Sequence, residues 1–312
     1  MTRTALALAL VAPLSIAAPH GQDQPPAPTG GKLSIDASFV DKQGQPVRDL
    51  KPEEIEVWIG PYRIPIESLA VGATTDDDRR RAIALVIDDI TLTPVGMQRA
   101  KEVARHFVKN LAAGDQVVVT RLSGSLATST DDPAALLQAI DAISMPTGQP
   151  FIQPDHLGGH VLDTLKNIAQ QIGESEARRK TIVGIGASWL FDTPIPPVVG
   201  GQHLDRAMTD AARAMIISGA TLYIVDPGGV GMAPIPGGRH GFARDMGGHA
   251  FINTNDLKGA VARILAELDH FYTITIADPP VALAELRAVD VRVKRKGVQV
   301  RTKRFLRGTV RV

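Results

Sequence analysis

Cysteine is absent from the 312 residues. That excludes thiol catalysis, thiolate zinc sites, iron–sulfur clusters, disulfide scaffolds and a lipid-modified N-terminal cysteine. No excess of either charge exists: Lys+Arg number 34 against 33 Asp+Glu, a net of +1. A dedicated nucleic-acid binder would be strongly basic, so that class is set aside. No apolar run reaches the length of a transmembrane helix. Aromatic residues are scarce, at 4%. What is present, 44% hydrophobic and 21% charged residues, is the composition of a folded, water-soluble chain, and the length suits one large or two modest domains.

The balanced charge hides an asymmetry. Residues 287–312 hold ten Lys or Arg against one acid, Asp290. That tail is a basic patch on an acidic body. In it Arg292, Lys294, Gln299, Arg301 and Lys303 alternate with Val291, Val293, Val298 and Val300. The alternation predicts strands with packed valines and one exposed cationic face, which would blunt edge pairing or touch an anionic envelope surface peripherally.

At the N-terminus, Arg3, the Ala/Leu-rich residues 5–12 and the small-residue pattern Ser15-Ile16-Ala17 read as an export signal. Residues 1–17 are therefore expected to be a signal peptide, and 18–31, rich in Pro, Gly and Gln, a loose leader. Such a protein would be periplasmic or secreted.

From residue 32 to 72 the apolar period is two, as in Leu33, Ile35, Ala37 and Phe39 and again in Ile55, Val57 and Ile59. From 80 to 269 short apolar strands alternate with helical stretches, over residues 95–112, 133–143, 157–172, 204–218 and 256–268. Pro94 and Pro133 sit at helix starts, and Gly114 and Gly219 just past helix ends. From 270 to 312 period two returns. The expected fold class is α/β: a doubly wound, mostly parallel, Rossmann-like sheet, with a β-rich domain in which residues 270–312 pair with 32–72 into one β layer.

In such sheets ligands bind outside the carboxyl ends of the strands. The first central strand ends Ile87-Asp88-Asp89-Ile90-Thr91-Leu92-Thr93-Pro94. A carboxylate and two hydroxyls at alternate positions are hard oxygen ligands suited to Mg²⁺ or Mn²⁺. The element order together with Asp89-x-Thr91-x-Thr93 resembles the von Willebrand factor type A family and its Asp-x-Ser-x-Ser adhesion site. The exported bacterial branch is most similar, through residues 39–57, 247–257 and 291–298. The resemblance implies a non-catalytic, adhesion-type protein that binds a protein or glycan partner at the metal edge.

In the family a Thr from a later loop and an Asp after the fourth strand complete the site. Here the loop offers Thr147 or Asp155, and Ala187-Ser188 stands where the family has Asp-Gly. Asp88 or Asp155 would have to compensate. A competing reading is an exported serine hydrolase with Ser188 as nucleophile and His240 or His249 as base, although residues 186–190 lack the second glycine of a nucleophile elbow. A phosphoryl-receiver reading of Asp88-Asp89 fails, because export removes the phosphodonor and no later strand ends in a phosphorylatable Asp. Gly-rich residues 228–241 are expected to be a surface loop, and His156, His160 and His203 lack zinc spacing.

Overall fold

The computed structural model describes residues 32–72, 80–124, 127–145, 154–187, 201–231, 241–277 and 286–307. The expected signal and leader lie outside them. In chain order come β1 (Lys32–Val40), β2 (Ile55–Ile59), β3 (Tyr62–Ile64), β4 (Ile66–Val71), β5 (Arg81–Ile87), α1 (Pro94–Lys109), β6 (Gln116–Arg121) and β7 (Ala127–Thr130). Then follow α2 (Pro133–Ala142), α3 (Pro154–Gly173), β8 (Arg179–Ile185), α4 (Gly201–Ser218), β9 (Ala220–Val225), α5 (Gly241–Asp245), β10 (Ala250–Phe251) and α6 (Leu257–Asp269). The chain ends in β11 (Tyr272–Ala277), β12 (Leu286–Val293), β13 (Gln299–Thr302) and β14 (Phe305–Arg307). Among the described residues no helix is long and apolar enough to cross a membrane.

Six strands form the central sheet in the order β10-β9-β8-β5-β6-β7. All neighbours are parallel except β7, which runs against β6. β5 is buried at every position, because helices cover both faces. Ile83, Leu85 and Ile87 pack with α1, α2 and α6, while Ala84 and Val86 pack with α3, α4 and α5. α1 shows why its sequence is helical. Thr93 caps it, accepting from Gly96 N at 3.1 Å, and Pro94 occupies the first turn. Met97, Ala100, Ala104, Phe107 and Val108 then recur at helical spacing and are buried.

The terminal strands build not one layer but a sandwich of two four-stranded sheets, β13-β1-β11-β4 and β14-β12-β2-β3, because the apolar faces of both bury against each other. β1 lies between β11 and β13, and β12 pairs with β2, placing Val291 opposite Val57. Ile35, Phe39 and Ile274 from one sheet meet Val57, Ile59 and Val291 from the other in a single core. β13 and β14 are nearly continuous, so the chain crosses from one sheet to the other between Thr302 and Phe305.

The outer face of the β1 sheet sits on the base of the α/β half, where the central strands begin. There Arg81 Nε donates to Asp115 Oδ1 at 2.7 Å and Arg81 Nη1 to Asp269 Oδ1 at 2.6 Å. The Arg179 guanidinium lies 4.2 Å from the centroid of the buried Phe271 ring. Gly72 passes so close to that ring that a Cβ there would fall 2.2 Å from it. Tyr223 of β9 donates to Glu267 Oε2 at 3.0 Å, and Arg301 of β13 donates to Glu267 Oε1. Glu267 and Tyr223 have no exposed surface. Burial pushes both groups above their ordinary pKa values, and the Arg301 cation only partly offsets this at Glu267.

This docking corrects the expectation of a uniformly exposed cationic face on the tail. Arg301 is 9% exposed and ion-paired, because both faces of its sheet are covered, one by the sandwich core and one by α6 and β9. Arg292 and Lys294 do face solvent, but lie 2.7 Å from Asp290 and 3.6 Å from Glu56 respectively.

Removing one partner of a buried ion pair leaves the other unpaired and costs about 3–5 kcal/mol. Glu267→Gln is expected to lower the unfolding free energy by about that amount in urea titration, whereas the Glu267→Leu/Arg301→Met pair of changes should recover most of it. A loss below about 1 kcal/mol for Glu267→Gln would mean that the pair is solvated and does not hold the two halves together.

Candidate functional site

With the sandwich on the base, the carboxyl ends of the central strands are left to the connecting loops. Strand order reverses about β5, which lies between β6 and β8, and the crevice of a doubly wound sheet opens at that reversal. Beside β5, β8 is followed by Gly186 and Ala187. A Cβ on Gly186 would sit 2.1 Å from Asp88 Cβ, so only glycine lets the two strand ends approach this closely.

Three aspartates are buried at these ends. Asp88 Oδ1 accepts from Ile90 N at 3.0 Å and Thr91 N at 2.9 Å, and its Oδ2 accepts from Thr91 Oγ1 at 2.5 Å. Asp89 faces the loop after β6, accepting from Ser123 N at 2.9 Å and from Ser123 Oγ at 2.5 Å. Asp226, directly after β9, accepts from Gly228 N at 2.8 Å. None is more than 1% exposed. These N–H and hydroxyl donors tie the loops to the strand ends.

Around this floor, α1 and the loops after β9 and β10 form a rim. Arg99 Nη1 donates to Gly228 O at 3.3 Å and its Nη2 to Asn255 Oδ1 at 3.2 Å. Gly231 N donates to Asn253 Oδ1 at 3.2 Å, and Asn253 takes a left-handed conformation at φ 52°, which asparagine tolerates better than most residues. A groove of about 250 Å³ runs past Arg99, Glu102, His106 and Asn255. One turn before Arg99, Val95 is 70% exposed, and Val230 is 64% exposed.

The oxygens expected to hold Mg²⁺ or Mn²⁺ are committed elsewhere. Ser123 engages both oxygens of Asp89, and Arg121 Nε lies 3.9 Å from Oδ2, so positive charge is already there. Thr93 Oγ1 caps α1, and Thr91 Oγ1 donates to Asp88. Ala187 offers no side-chain oxygen and packs against the core. Among the described residues no three His, Asp or Glu side chains group as a metal cluster would require. Asp89, Thr91 and Thr93 would reach a divalent ion only by giving up these bonds.

Of the other residues singled out, Asp155 is the second residue of α3, and Thr147, Ser188 and His240 lie outside the described residues. His249 packs edge-on to Phe251 at 4.8 Å. His160 Nε2 is 2.8 Å from Leu122 O, a packing role. His156 is exposed on α3 and His203 lies on α4. Two residues went unnoticed. Asp226, buried directly after β9, is one, and the signal was there in Val225-Asp226-Pro227-Gly228, an apolar strand running into a turn. Ser123 carried no local signal, since only the β5–β6 pairing brings it to Asp89.

No protein-family model matches the chain, and no curated protein matches it. Among solved structures the chain is similar to the SpRpn10 VWA domain, at 13% sequence identity and a TM-score of 0.37, over 58% of this chain and 93% of that one. Counted from β5, the strand order described above is 3-2-1-4-5-6 with the third strand reversed. It is a doubly wound arrangement, consistent with a von Willebrand factor A-like fold.

An ion at a hundredfold excess over its Kd would add about 2.7 kcal/mol, enough to raise the melting temperature by several degrees. Equal melting curves in excess Mg²⁺ and in EDTA are expected. A rise in Mg²⁺ that Asp89→Ala abolishes would restore the ion to this loop.

Proposed function

We propose that the chain is an exported, adhesion-type binding protein without catalytic activity of its own. It recognises a protein partner through the carboxyl-terminal edge of its parallel sheet, as the von Willebrand factor A resemblance implies. The observation that carries this reading is the rim around Arg99. Two valines, 70% and 64% exposed, stand on elements cross-linked by Arg99 and Asn255, above a floor of buried, hydrogen-bonded aspartates. Apolar side chains presented on a pinned rim suit contact with another protein surface, where a few well-placed anchors dominate affinity. Recognition of this kind needs no metal. A glycan would draw instead on the polar groups of the groove, Arg99, Glu102 and Asn255.

The test is capture from an envelope extract, followed by measurement of the identified partner with purified protein. Val95→Asp and Val230→Asp are each expected to weaken that partner's affinity by about tenfold or more without changing the melting temperature. Unchanged affinity in both variants would move the binding surface elsewhere, and loss only in Glu102→Gln or Asn255→Ala would indicate a glycan ligand.

The absence of catalysis has its own check. A fluorophosphonate probe is expected to leave the protein unlabelled. Stoichiometric labelling that disappears in Ser188→Ala would replace the binding reading with a hydrolase.

A further inference from the structure

A crevice of about 540 Å³ opens on the sandwich, away from the strand ends just described, and is lined in part by Trp58, Val291, Arg244, Arg292, Arg304 and Phe305. Its volume lies within the range of about 300–1,000 Å³ typical of ligand pockets. Strand pairing explains why it exists. On its β14 side, β12 is paired only over Leu286, Arg287 and Ala288, and Val289 N then donates to Arg304 O at 2.8 Å. Beyond that point the would-be partner strand has left for the other sheet as β13, where it pairs with β1.

Backbone groups in an antiparallel strand alternate in direction. Val289 N donates toward β14, and Lys294 N donates the other way, to Glu54 O beside β2. Val291, two residues after Val289, therefore turns its N–H and C=O to the open side. One wall of the crevice is thus the free backbone edge of β12 at Val291.

Its chemistry is selective. Arg244, Arg292 and Arg304 surround it, against two carboxylates: Asp290, 2.7 Å from Arg292, and Asp245, 3.3 Å from Arg304. The Asp290–Arg292 pair is well exposed, and an exposed pair gives way to a new partner at little cost; Asp245 is more shielded. The Arg292 guanidinium lies 5.0 Å from the Trp58 ring centroid. Trp58 Nε1 is shielded from solvent yet has no acceptor, and an orphaned donor of this kind calls for a partner. Phe305, 37% exposed, offers an apolar contact.

We propose that this crevice receives an extended acidic peptide segment of a protein partner, added as a strand along the free edge of β12 at Val291, with its carboxylates on Arg244, Arg292 and Arg304. Main-chain hydrogen bonds hold such a segment, and alternate side chains select it. This surface is independent of the rim around Arg99.

The experiment uses the full chain carrying Trp189→Phe, which leaves Trp58 as the sole tryptophan and its emission as the readout. Three probes are compared: a capped Val-Glu-Val-Glu-Val-Glu peptide, the same peptide with Lys for Glu, and the acidic peptide N-methylated at alternate backbone nitrogens. The acidic peptide is expected to shift the emission saturably. The other two probes, and Arg292→Gln protein of unchanged melting temperature, should bind about tenfold more weakly or worse. Val95→Asp protein should bind the acidic peptide as well as its parent does, which separates this surface from the rim. No saturable shift, or equal binding of the Lys or N-methylated peptide, would overturn the proposal. So would concentration-dependent dimerisation that Arg292→Gln abolishes, which would make a second copy of the chain the occupant.

Discussion

A carboxylate that is fully removed from water must be matched by something, and at Glu267 the match comes from two separate parts of the chain. Tyr223 belongs to the parallel sheet, Arg301 to the terminal sandwich, and α6 carries the acid between them. Taking an isolated charge into a protein interior is too costly to persist. The three groups therefore stand or fall together, and with them the seating of the sandwich on the α/β base. At neighbouring strand starts Arg81 is matched within the α/β half by Asp115 and Asp269, and Arg179 lies over Phe271, beside the start of β11. Sliding the sandwich along the base would part Arg301 from Glu267 and leave both buried charges unmatched.

That closure decides what the opposite end can be. With the strand starts covered, the strand ends are left to α1 and the loops, and there the buried acids are handled differently. Asp88, Asp89 and Asp226 are satisfied chiefly by N–H and hydroxyl donors a few residues away or one strand over. The outcome is a stiff floor whose charge is already spent inside, carrying a rim on which apolar and polar side chains point outward. A pinned rim of that kind keeps its outward-facing side chains in a fixed arrangement.

Much of the architecture was written locally. Ile83, Leu85 and Ile87 alternating with Ala84 and Val86 mark a strand buried on both sides, and Thr93-Pro94 followed by apolar residues at helical spacing marks the start of α1. The short elements were not legible. β7, Ala127–Thr130, is a Thr/Ser run that becomes a strand only because β6 offers it an edge, and α5 is a single turn beside a glycine-rich stretch. Long-range partners were invisible for the same reason. The alternation of Val291, Val293 and Val300 says that these residues form strands, but nothing local says that Arg301 will meet Glu267. At the site, Asp88, Asp89 and Thr93 could be picked out by type and spacing. Their bonding could not, because Ser123 reaches Asp89 only through the pairing of β5 with β6.

The sandwich is also made from the two ends of the chain, and this bears on the order of events in folding. Ile35 waits for Ile274, and Val57 for Val291, until the whole α/β half has been synthesised between them. The α/β half needs nothing from the first four strands to build its own two cores, so it can condense while β1 and β2 still lack neighbours. Pairings so distant in sequence are slow to form, and in the interval the early strands present bare edges and the apolar faces of Phe39 and Ile59. Assembly of the native molecule is thus a race between arrival of the last forty residues and capture of those edges by another chain.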